Sequence, residues 1–357
     1  MKVLIAGGGT GGHLFPGVAV AEELRARDPQ AEIRFVGTAR GIEARVLPEL
    51  GEELALIEVS GLKTVGVLGA IKGLFRLPKA LWQARRLVKQ FQPDAVVGVG
   101  GYASGPVVLM ARLRGVPTAI CEQNSIPGLT NKILGKFART IFLSFDESKR
   151  FFKPKKIVMS GNPVRRGLVQ KLLDAPAREA SETIHILVSG GSLGAVAVNE
   201  LAANALSVIA KERSIAIVHQ TGEKGLAGTK AIYEQAGVTA ECSAFIKDMA
   251  AAYHRADLII GRAGATTVAE LAIAGKPAIF IPYPHAADDH QTINAREMQH
   301  AGAALSFKQA DLTADKLVTA LGPLLESAKR AEMAAAMKAL AKPRAAAAVV
   351  DWCLEQT

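Results

Sequence analysis

The chain has 357 residues, of which 49% are hydrophobic, 21% charged and 5% aromatic, a composition typical of a soluble globular protein rather than a disordered or fibrous one. At roughly 150 residues per domain, this length predicts two domains. The longest uncharged stretch, residues 95–111, is interrupted by glycines and does not fit a membrane-spanning helix. The first residues are too short an apolar run for a secretory signal, so we expect a cytoplasmic protein. Its three cysteines are widely separated and predict neither a disulfide framework nor a structural zinc.

The first predicted element is a strand at residues 3–6 that leads into a glycine-rich turn, Gly7 to Gly12, and then into a helix. The spacing Gly7-x-Gly9-x-x-Gly12 fits the dinucleotide-binding fingerprint, in which backbone N–H groups bind a pyrophosphate at a helix N-terminus. That fingerprint also requires an acid at the end of the second strand, and no acid occurs there before Glu43. The lysine of a Walker motif is absent as well. We therefore expect a phosphate or pyrophosphate site that binds neither NAD nor ATP.

His13 lies where this turn meets the helix. A protonated imidazole would oppose the positive end of the helix dipole, so a neutral ring that can accept a proton is favoured. Two interpretations are open: the ring caps the turn by hydrogen bonding, or it acts as a general base. The five neighbouring glycines, which expose the ring, favour the general base.

The net charge of +10 is concentrated in the first half, where residues 59–93 contain seven Lys or Arg side chains and no acid. Apolar residues are interleaved with these cations at near-helical spacing. The amphipathic surface consists of Ile71, Lys72, Leu74, Phe75, Arg76 and Lys79. This pattern fits either a helix that lies on an anionic membrane surface or a helical hairpin with an apolar core face and solvated lysines. Nucleic acid is not expected, because aromatic residues that stack on bases are scarce and no recognition motif occurs.

Short apolar runs alternate with helical patterns along the chain, which predicts parallel sheets wrapped by helices. Beyond residues 3–6, the predicted strands are residues 33–36, 54–59, 95–99, 118–121, 140–143, 184–188, 215–219, 239–244, 258–260 and 278–281. The pattern restarts at residue 184 and again leads into a glycine-rich turn, residues 189–194. We expect an α/β protein of two doubly wound, Rossmann-like domains that face a cleft, with its ligand at the carboxyl ends of the strands.

The second half has a dense array of polar groups between residues 262 and 291. Thr267-x-x-Glu270 fits a capping box that serves only the helix; alternatively, Glu270 accepts hydrogen bonds from sugar hydroxyls. Arg262 is a candidate for binding a phosphate or for an ion pair. Asp288 and Asp289 are adjacent, but no D-x-D motif occurs in the chain, so we expect no metal.

Seven sequence motifs follow one another along the chain. They are Gly-Gly-Thr-Gly-Gly-His13-Leu-Phe-Pro-Gly, Gly100-Gly101-Tyr102-Ala-Ser104-Gly-Pro, Glu122-Gln-Asn124-Ser-Ile-Pro-Gly-Leu-Thr-Asn131-Lys, Gly161-Asn162-Pro163-Val164-Arg165, Gly190-Gly191-Ser192-Leu-Gly-Ala, Arg262-Ala-Gly-Ala-Thr-Thr-Val-Ala-Glu270 and Asp288-Asp-His-Gln291-Thr-Ile-Asn294-Ala. Together they resemble the MurG family, bacterial transferases that add N-acetylglucosamine to lipid I to make lipid II of peptidoglycan. The resemblance covers essentially the full chain and implies the two-domain GT-B fold. It implies an N-terminal acceptor and membrane-associating domain at residues 1–162, a C-terminal UDP-N-acetylglucosamine domain at residues 163–341, and a final helix, about residues 342–357, that packs back on the first domain.

The resemblance also implies individual site residues. Donor contacts are implied at Thr10, Gly11, Gly12, Asn124, Arg165, Ser192, Ile246, Ala265, Thr266, Thr267, Val268, Ala269, Glu270 and Gln291. Ser192 is implied to bind phosphate, Glu270 the ribose, the backbone of Ile246 the uracil, and Gln291 the sugar hydroxyls. His13 is implied to be the catalytic base, with Tyr102 and Glu122 near the acceptor. Cys121 stands where many members of the family have His, so no catalytic role is carried over to that position.

The implied reaction is an inverting glycosyl transfer that uses neither a metal nor a cofactor. The C4 hydroxyl of N-acetylmuramic acid attacks the anomeric carbon of the donor, His13 takes the proton, and UDP leaves. The implied partners are UDP-N-acetylglucosamine, lipid I and an anionic membrane surface, with proteins of cell-wall synthesis as further candidates. The implied location is peripheral, on the cytoplasmic face of the bacterial inner membrane. The alternatives are a sugar-nucleotide epimerase on the same fold, an NAD-dependent oxidoreductase, and a non-catalytic lipid or nucleic-acid binder.

Overall fold

The computed structural model describes residues 1–59, 66–176, 181–191 and 193–356, and of residues 66–76 it describes only the helical backbone. The chain divides into two units. The first consists of Met1–Arg166 together with Pro343–Thr357, and the second of Gly167–Lys342. The first division lies just beyond the Gly161-Asn162-Pro163 motif at which the sequence analysis placed a boundary.

The first unit is built around a seven-stranded sheet in which every strand pair is parallel. Its elements are, in chain order, β1 (Lys2–Gly7), α1 (Gly11–Arg27), β2 (Glu32–Gly37), α2 (Glu43–Glu49), β3 (Leu54–Leu56), α3 (Gly66–Phe91), β4 (Ala95–Gly100), α4 (Ser104–Leu113), β5 (Thr118–Glu122), α5 (Leu129–Leu134), β6 (Thr140–Leu143) and β7 (Ile157–Val158). The strand order is β3-β2-β1-β4-β5-β6-β7. Helix α6 (Arg166–Leu173) begins at the end of this unit.

The second unit contains a six-stranded parallel sheet with the order β10-β9-β8-β11-β12-β13. Its elements are β8 (Ile184–Ser189), α7 (Val196–Ile209), β9 (Ile215–Gln220), α8 (Leu226–Gln235), β10 (Ala240–Ser243), α9 (Met249–Arg255), β11 (Leu258–Gly261), α10 (Ala265–Ala274), β12 (Ala278–Phe280), α11 (His290–His300), β13 (Ala304–Ser306), α12 (Ala314–Leu321) and α13 (Ser327–Ala339). The last helix, α14 (Ala345–Leu354), belongs to the first unit. The expected fold class, two doubly wound α/β domains, is therefore confirmed.

Helix α14 completes the core of the first unit. Val349, Val350 and Cys353 are fully buried in the same apolar cluster as residues of β1, α1 and β2. Trp352 meets Phe142 edge to face, with ring centroids 6.3 Å apart. The packing of α14 on α1 therefore makes the C-terminal residues part of the first unit's hydrophobic core.

The sheet order determines which loops meet. Strands β4, β1 and β2 are neighbours, and β5 follows β4, so the loops that follow these strands lie along one edge of the first sheet. In the second unit the same rule brings together the loops after β8, β9 and β11. In the described part of the chain, no helix combines the length and apolar character that crossing a bilayer requires.

Candidate active site

The first glycine turn is packed tightly against the loop that follows β4. Gly7, Gly8 and Gly9 have φ values of 156°, 138° and 90°, in or at the border of a region that side chains rarely adopt. A Cβ on Gly7 would overlap the carbonyl oxygen of Gly100, and a Cβ on Gly101 would overlap that of Gly8. Glycine is therefore required on both sides of this contact. Beyond it α1 begins, and the N–H groups of its first two residues, Gly11 and Gly12, have no preceding helical carbonyl to bond.

Glu43 lies beneath the same turn and is fully buried. Its Oε2 accepts the N–H of Gly9 at 2.6 Å, and its Oε1 accepts the N–H of Thr38 at 2.9 Å and the Thr38 hydroxyl at 3.0 Å. From the sequence, Glu43 is only an acid that comes too late in the chain to bind a ribose. The structure uses it instead to hold the turn, so the Gly9 N–H points at this carboxylate rather than at a phosphate.

His13 is oriented by a buried glutamine. Gln123 donates its Nε2–H to the carbonyl of Val99 at 3.1 Å, which leaves its Oε1 facing His13 Nδ1 at 3.4 Å. Because Oε1 can only accept, the proton of a neutral His13 ring lies on Nδ1, and Nε2 is the basic nitrogen. The ring packs over Gly100, where a Cβ would lie 2.6 Å from Nδ1. Gln123 was not among the sequence candidates, although it stands directly after Glu122.

Glu122 is enclosed beneath the loop that carries Asn124. Only 2% of it is exposed; its Oε1 accepts the N–H of Asn124 at 3.0 Å and its Oε2 accepts the Asn131 side-chain amide at 2.9 Å. Burial raises the pKa of Glu122 from its ordinary value of 4.5 to about 7. The carboxyl group therefore holds the loop through its hydrogen bonds to Asn124 and Asn131. Tyr102, the other predicted acceptor residue, is 44% exposed.

The second glycine turn is linked to the following loops by Gln220, a buried residue that the sequence analysis missed. Its Nε2 donates to Ser189 Oγ at 3.3 Å and to the carbonyl of Gly191 at 3.0 Å. Its Oε1 accepts the N–H of Ile246 at 2.9 Å. One amide side chain thus ties the turn to the residue expected to contact uracil. Ser192, the expected phosphate ligand, lies outside the described residues.

The structure rejects the capping-box interpretation of Glu270. Helix α10 begins at Ala265 with Gly264 as its N-cap, so Thr267 is the third helical residue and not a cap. Glu270 instead accepts the hydroxyl of buried Tyr253 at 2.8 Å, and burial raises the pKa of that phenol well above its ordinary value. In the same helical turn the buried hydroxyl oxygen of Thr266 has no hydrogen-bond partner among the described residues. This turn of α10 therefore contains a carboxylate that is oriented by Tyr253 and a buried hydroxyl without a described hydrogen-bond partner.

Arg262 is a structural residue in the described contacts. Its guanidinium donates to the carbonyls of Ile281 and Pro282 at 2.8 and 2.9 Å and to Gln309 Oε1 at 2.6 Å. Burial lowers the pKa of this guanidinium below its ordinary value. Among the described residues Arg262 has no ion-pair partner, and its guanidinium holds the end of β12.

The remaining predicted residues divide between the two units. Thr10, Gly11, Gly12, Asn124 and Arg165 belong to the first unit with His13, where the Arg165 guanidinium lies 5.4 Å from the centre of the Phe15 ring. Gln291 belongs to the second unit with Glu270, and its Oε1 accepts the N–H of Tyr283 at 3.0 Å. Among the residues that the structure describes, no three His, Cys, Asp or Glu side chains converge as a metal site would require.

Two family models and a full-length relative match this chain. Residues 3–143 match the model of the glycosyltransferase family 28 N-terminal domain, and residues 185–349 match that of the family's C-terminal domain. A protein of Myxococcus xanthus named UDP-N-acetylglucosamine–N-acetylmuramyl-(pentapeptide) pyrophosphoryl-undecaprenol N-acetylglucosamine transferase is 48% identical over 357 residues, covering 99% of this chain and 93% of the relative.

Solved structures agree with these matches. The crystal structure of MurG from Acinetobacter baumannii superposes with a TM-score of 0.83 at 36% identity, covering 99% of each chain. UDP-GlcNAc 2-epimerase from Neisseria meningitidis gives a TM-score of 0.70 at 14% identity, covering 99% of this chain and 100% of the epimerase. The second likeness is one of fold alone.

The buried carboxyl of Glu122 predicts a pH-dependent stability. Between pH 4.5 and about 7 the folded state binds more protons at Glu122 than the unfolded state, so the contribution of Glu122 to the free energy of unfolding falls as pH rises through this window and is level above it. Glu122→Gln removes this dependence, and its stability relative to the wild type should rise between pH 4.5 and 8 by on the order of 3 kcal/mol. Denaturant unfolding at several pH values measures the difference. The exposed Glu49→Gln is the control, and a Glu122→Gln difference that does not vary with pH would contradict the assignment.

Proposed function

This chain belongs to glycosyltransferase family 28, and we propose that it transfers N-acetylglucosamine from UDP-N-acetylglucosamine to lipid I. The acceptor is the C4 hydroxyl of N-acetylmuramic acid in undecaprenyl-pyrophosphoryl-MurNAc-pentapeptide, and the products are lipid II and UDP. The observation that carries the proposal is His13, a histidine oriented by Gln123 beside a glycine turn at the start of α1. The full-length similarity to a relative named for this reaction supports the choice of substrates.

His13 acts as the general base. With Nδ1 donating to Gln123, the basic Nε2 takes the proton from the C4 hydroxyl while the hydroxyl oxygen attacks the anomeric carbon. The bond from that carbon to the pyrophosphate breaks with its electron pair going to UDP, and attack from the opposite face inverts the configuration. Fixed N–H donors offset the negative charge of the leaving group: those of Gly11 and Gly12 at α1, and those of Ala265 to Thr267 at α10.

The second unit contributes most of the donor site. Glu270, held by Tyr253, binds the ribose hydroxyls, the segment Ala265 to Ala269 meets the pyrophosphate, and Gln291 binds the sugar hydroxyls. Ile246 contacts uracil with its carbonyl, because its N–H is engaged by Gln220. Ser192 binds phosphate, and Asn124, Arg165, Thr10, Gly11 and Gly12 complete the donor contacts from the first unit.

The first unit binds the acceptor. The exposed Tyr102 contacts the sugar or its peptide, and the enclosed Glu122 acts through the loop that it holds, by positioning Asn124. The units thus divide the work: Met1–Arg166 with Pro343–Thr357 binds lipid I, and Gly167–Lys342 binds the nucleotide.

The first unit also attaches to an anionic membrane surface, on the cytoplasmic face of the inner membrane. The side chains of Ile71, Lys72, Leu74, Phe75 and Arg76 lie outside the described residues, but their backbone belongs to helix α3. Lys79 is exposed and pairs with Glu58 at 2.7 Å, so this cation does have an acidic partner just outside the basic segment. Trp82 on the same helix is 59% exposed, as expected for an aromatic side chain in a headgroup layer.

A second group of cations supports membrane attachment. A cleft of about 400 Å³ is lined by Arg112, Lys136, Arg139, Lys155 and Lys156, with no acid among its lining residues. Burial and neighbouring cations lower the pKa of Lys156. The cleft borders α4, the helix against which α3 packs, and so belongs to the same unit as α3. Cell-wall synthesis proteins that share the lipid substrates are the further partners we expect at this surface.

The proposed reaction is tested by incubating the protein with UDP-N-acetylglucosamine and a lipid I analogue and identifying the products by mass spectrometry. A disaccharide product with release of UDP only in the presence of acceptor supports the transfer. Conversion of the donor sugar without acceptor would indicate the epimerase instead.

Replacing His13 by Ala should lower turnover by about 10² to 10⁴, the usual contribution of a positioned general base. Affinity for UDP should remain nearly unchanged, because most donor contacts belong to the second unit. Steady-state kinetics at saturating substrates and calorimetric titration with UDP measure the two quantities. The exposed His300→Ala is the control, and near-native turnover of His13→Ala would refute the base assignment.

Replacing Glu270 by Ala should weaken UDP binding by about 1.5 to 3 kcal/mol for each charged hydrogen bond lost. Tyr253→Phe should weaken binding by about 0.5 to 1.5 kcal/mol, because the carboxylate stays but loses the hydroxyl that orients it. Tyr233→Phe is a matched control, since this buried tyrosine bonds His219 in the same unit and not Glu270. Calorimetry with UDP gives the affinities, and equal dissociation constants for Tyr253→Phe and Tyr233→Phe would count against the oriented carboxylate.

Changing Lys72, Arg76 and Lys79 together to Glu should abolish retention on vesicles that contain anionic lipid, while activity on a soluble, short-chain acceptor persists. The wild type should be released as salt rises, because screening limits the reach of the cations to about 8 Å at physiological ionic strength. Lys211, Lys224 and Lys230 changed to Glu in the second unit give the same change in net charge and should leave retention intact. Equal co-sedimentation of the basic-helix variant and the wild type would refute membrane attachment through α3.

A further inference from the structure

Glu43 is a fully buried carboxylate that the proposed reaction does not use. Its three described hydrogen bonds come from neutral donors, the backbone of Gly9 and the backbone and hydroxyl of Thr38. A buried carboxyl group is costly unless such donors satisfy it. The backbone of Gly9 and Thr38 must therefore be arranged around Glu43 so that their donors satisfy the buried carboxylate.

Three glycines form a cradle for this carboxylate. On Gly8, Gly37 and Gly41, the atoms nearest to an added Cβ all belong to Glu43, and every one of these Cβ atoms would collide with it. The glycines come from three segments: the turn after β1, the end of β2, and the loop before α2. These segments therefore close around one side chain.

The cradle fixes the turn immediately before the catalytic base. The Gly9 N–H is held at 2.6 Å from Glu43 Oε2, within the range of a strong bond to a carboxylate. The next residue, Thr10, is the N-cap of α1, and its carbonyl accepts the N–H of His13 at 3.2 Å and of Leu14 at 3.0 Å. The direction in which the turn leaves Gly9 therefore sets the position of His13.

We propose that Glu43 is a positioning residue for His13: its carboxylate takes the place that an anion would take on this glycine turn and holds the base in line with Gln123. The proposal rests on the proposed function where it concerns turnover. The position of the His13 ring can be measured without substrate, so the two can fail separately.

The first test is a double-mutant cycle on turnover. A glutamine at position 43 has one oxygen and one N–H group where the carboxylate has two oxygens, so Glu43→Gln cannot satisfy Gly9 and Thr38 together. Glu43→Gln should lower turnover about tenfold in the wild type and change it by less than about twofold in a His13→Ala background. Glu49→Gln, at an exposed position of the same helix, should have no effect in either background.

The second test observes the histidine directly. Long-range ¹H–¹⁵N NMR should show the His13 ring protonated on Nδ1 in the wild type and shifted in Glu43→Gln, with buried His219 of the second unit unchanged. Thr38→Val removes only one hydroxyl donor, is expected to fold, and should shift the same resonances by less. If the His13 resonances shift but His13→Ala keeps normal turnover, the positioning stands and the base assignment fails.

Two results would overturn the proposal. One is a folded Glu43→Gln, verified by thermal melting, in which the His13 resonances do not move. The other is an equal fractional loss of turnover in the wild-type and His13→Ala backgrounds, because a carboxylate that only stabilises the fold acts independently of His13.

Discussion

The contact between the first glycine turn, at the carboxyl end of β1, and the loop that follows β4 is the constraint on which the first unit's site depends. The parallel pairing of β1 with β4 shifts register at Ala6/Gly7, and beyond this point the two backbones approach so closely that no side chain fits between them. His13 can lie over Gly100 only because position 100 has no Cβ. His13, Gln123 and the glycine turn therefore come together through backbone packing.

The two units use the same device to organise their loops: a buried glutamine whose amide bonds both of its neighbours. Gln123 links the end of β4 to His13, and Gln220 links the second glycine turn to Ile246. An amide has a donor end and an acceptor end, so once one end is bonded the other presents a defined polarity. In each unit the glutamine amide faces a group that we expect to contact substrate. The amide orients that group by hydrogen bonding and adds no charge to the site.

The glycine turns, the strand alternation and the position of His13 could be predicted from the sequence, because each is a local pattern of a few consecutive residues. The hydrogen-bond partners that hold these elements in place could not be predicted. Glu43 and Gly9 are 34 residues apart, and Tyr253 and Glu270 lie on different helices, so only the folded sheet brings each pair together. The capping-box alternative for Thr267 and Glu270 could not be excluded from the sequence, because Gly264 caps α10 with an extended backbone and no side-chain bond. The edge strands β7 and β13 have two and three residues, too few to show a period.

The return of α14 to the first unit means that the second unit is inserted within the first rather than joined after it. During synthesis, the apolar surface of β1 and α1 that Val349, Val350 and Cys353 cover is made early, whereas these three residues follow the whole second unit. Residues 27 and 349 are 322 residues apart, so at about 5 to 20 residues per second the interval is roughly 16 to 65 s. During that time the second unit is synthesised and can fold around its own sheet. The first unit still lacks α14 in its core. The core beneath the glycine turn and His13 is therefore completed only after the second unit has been synthesised.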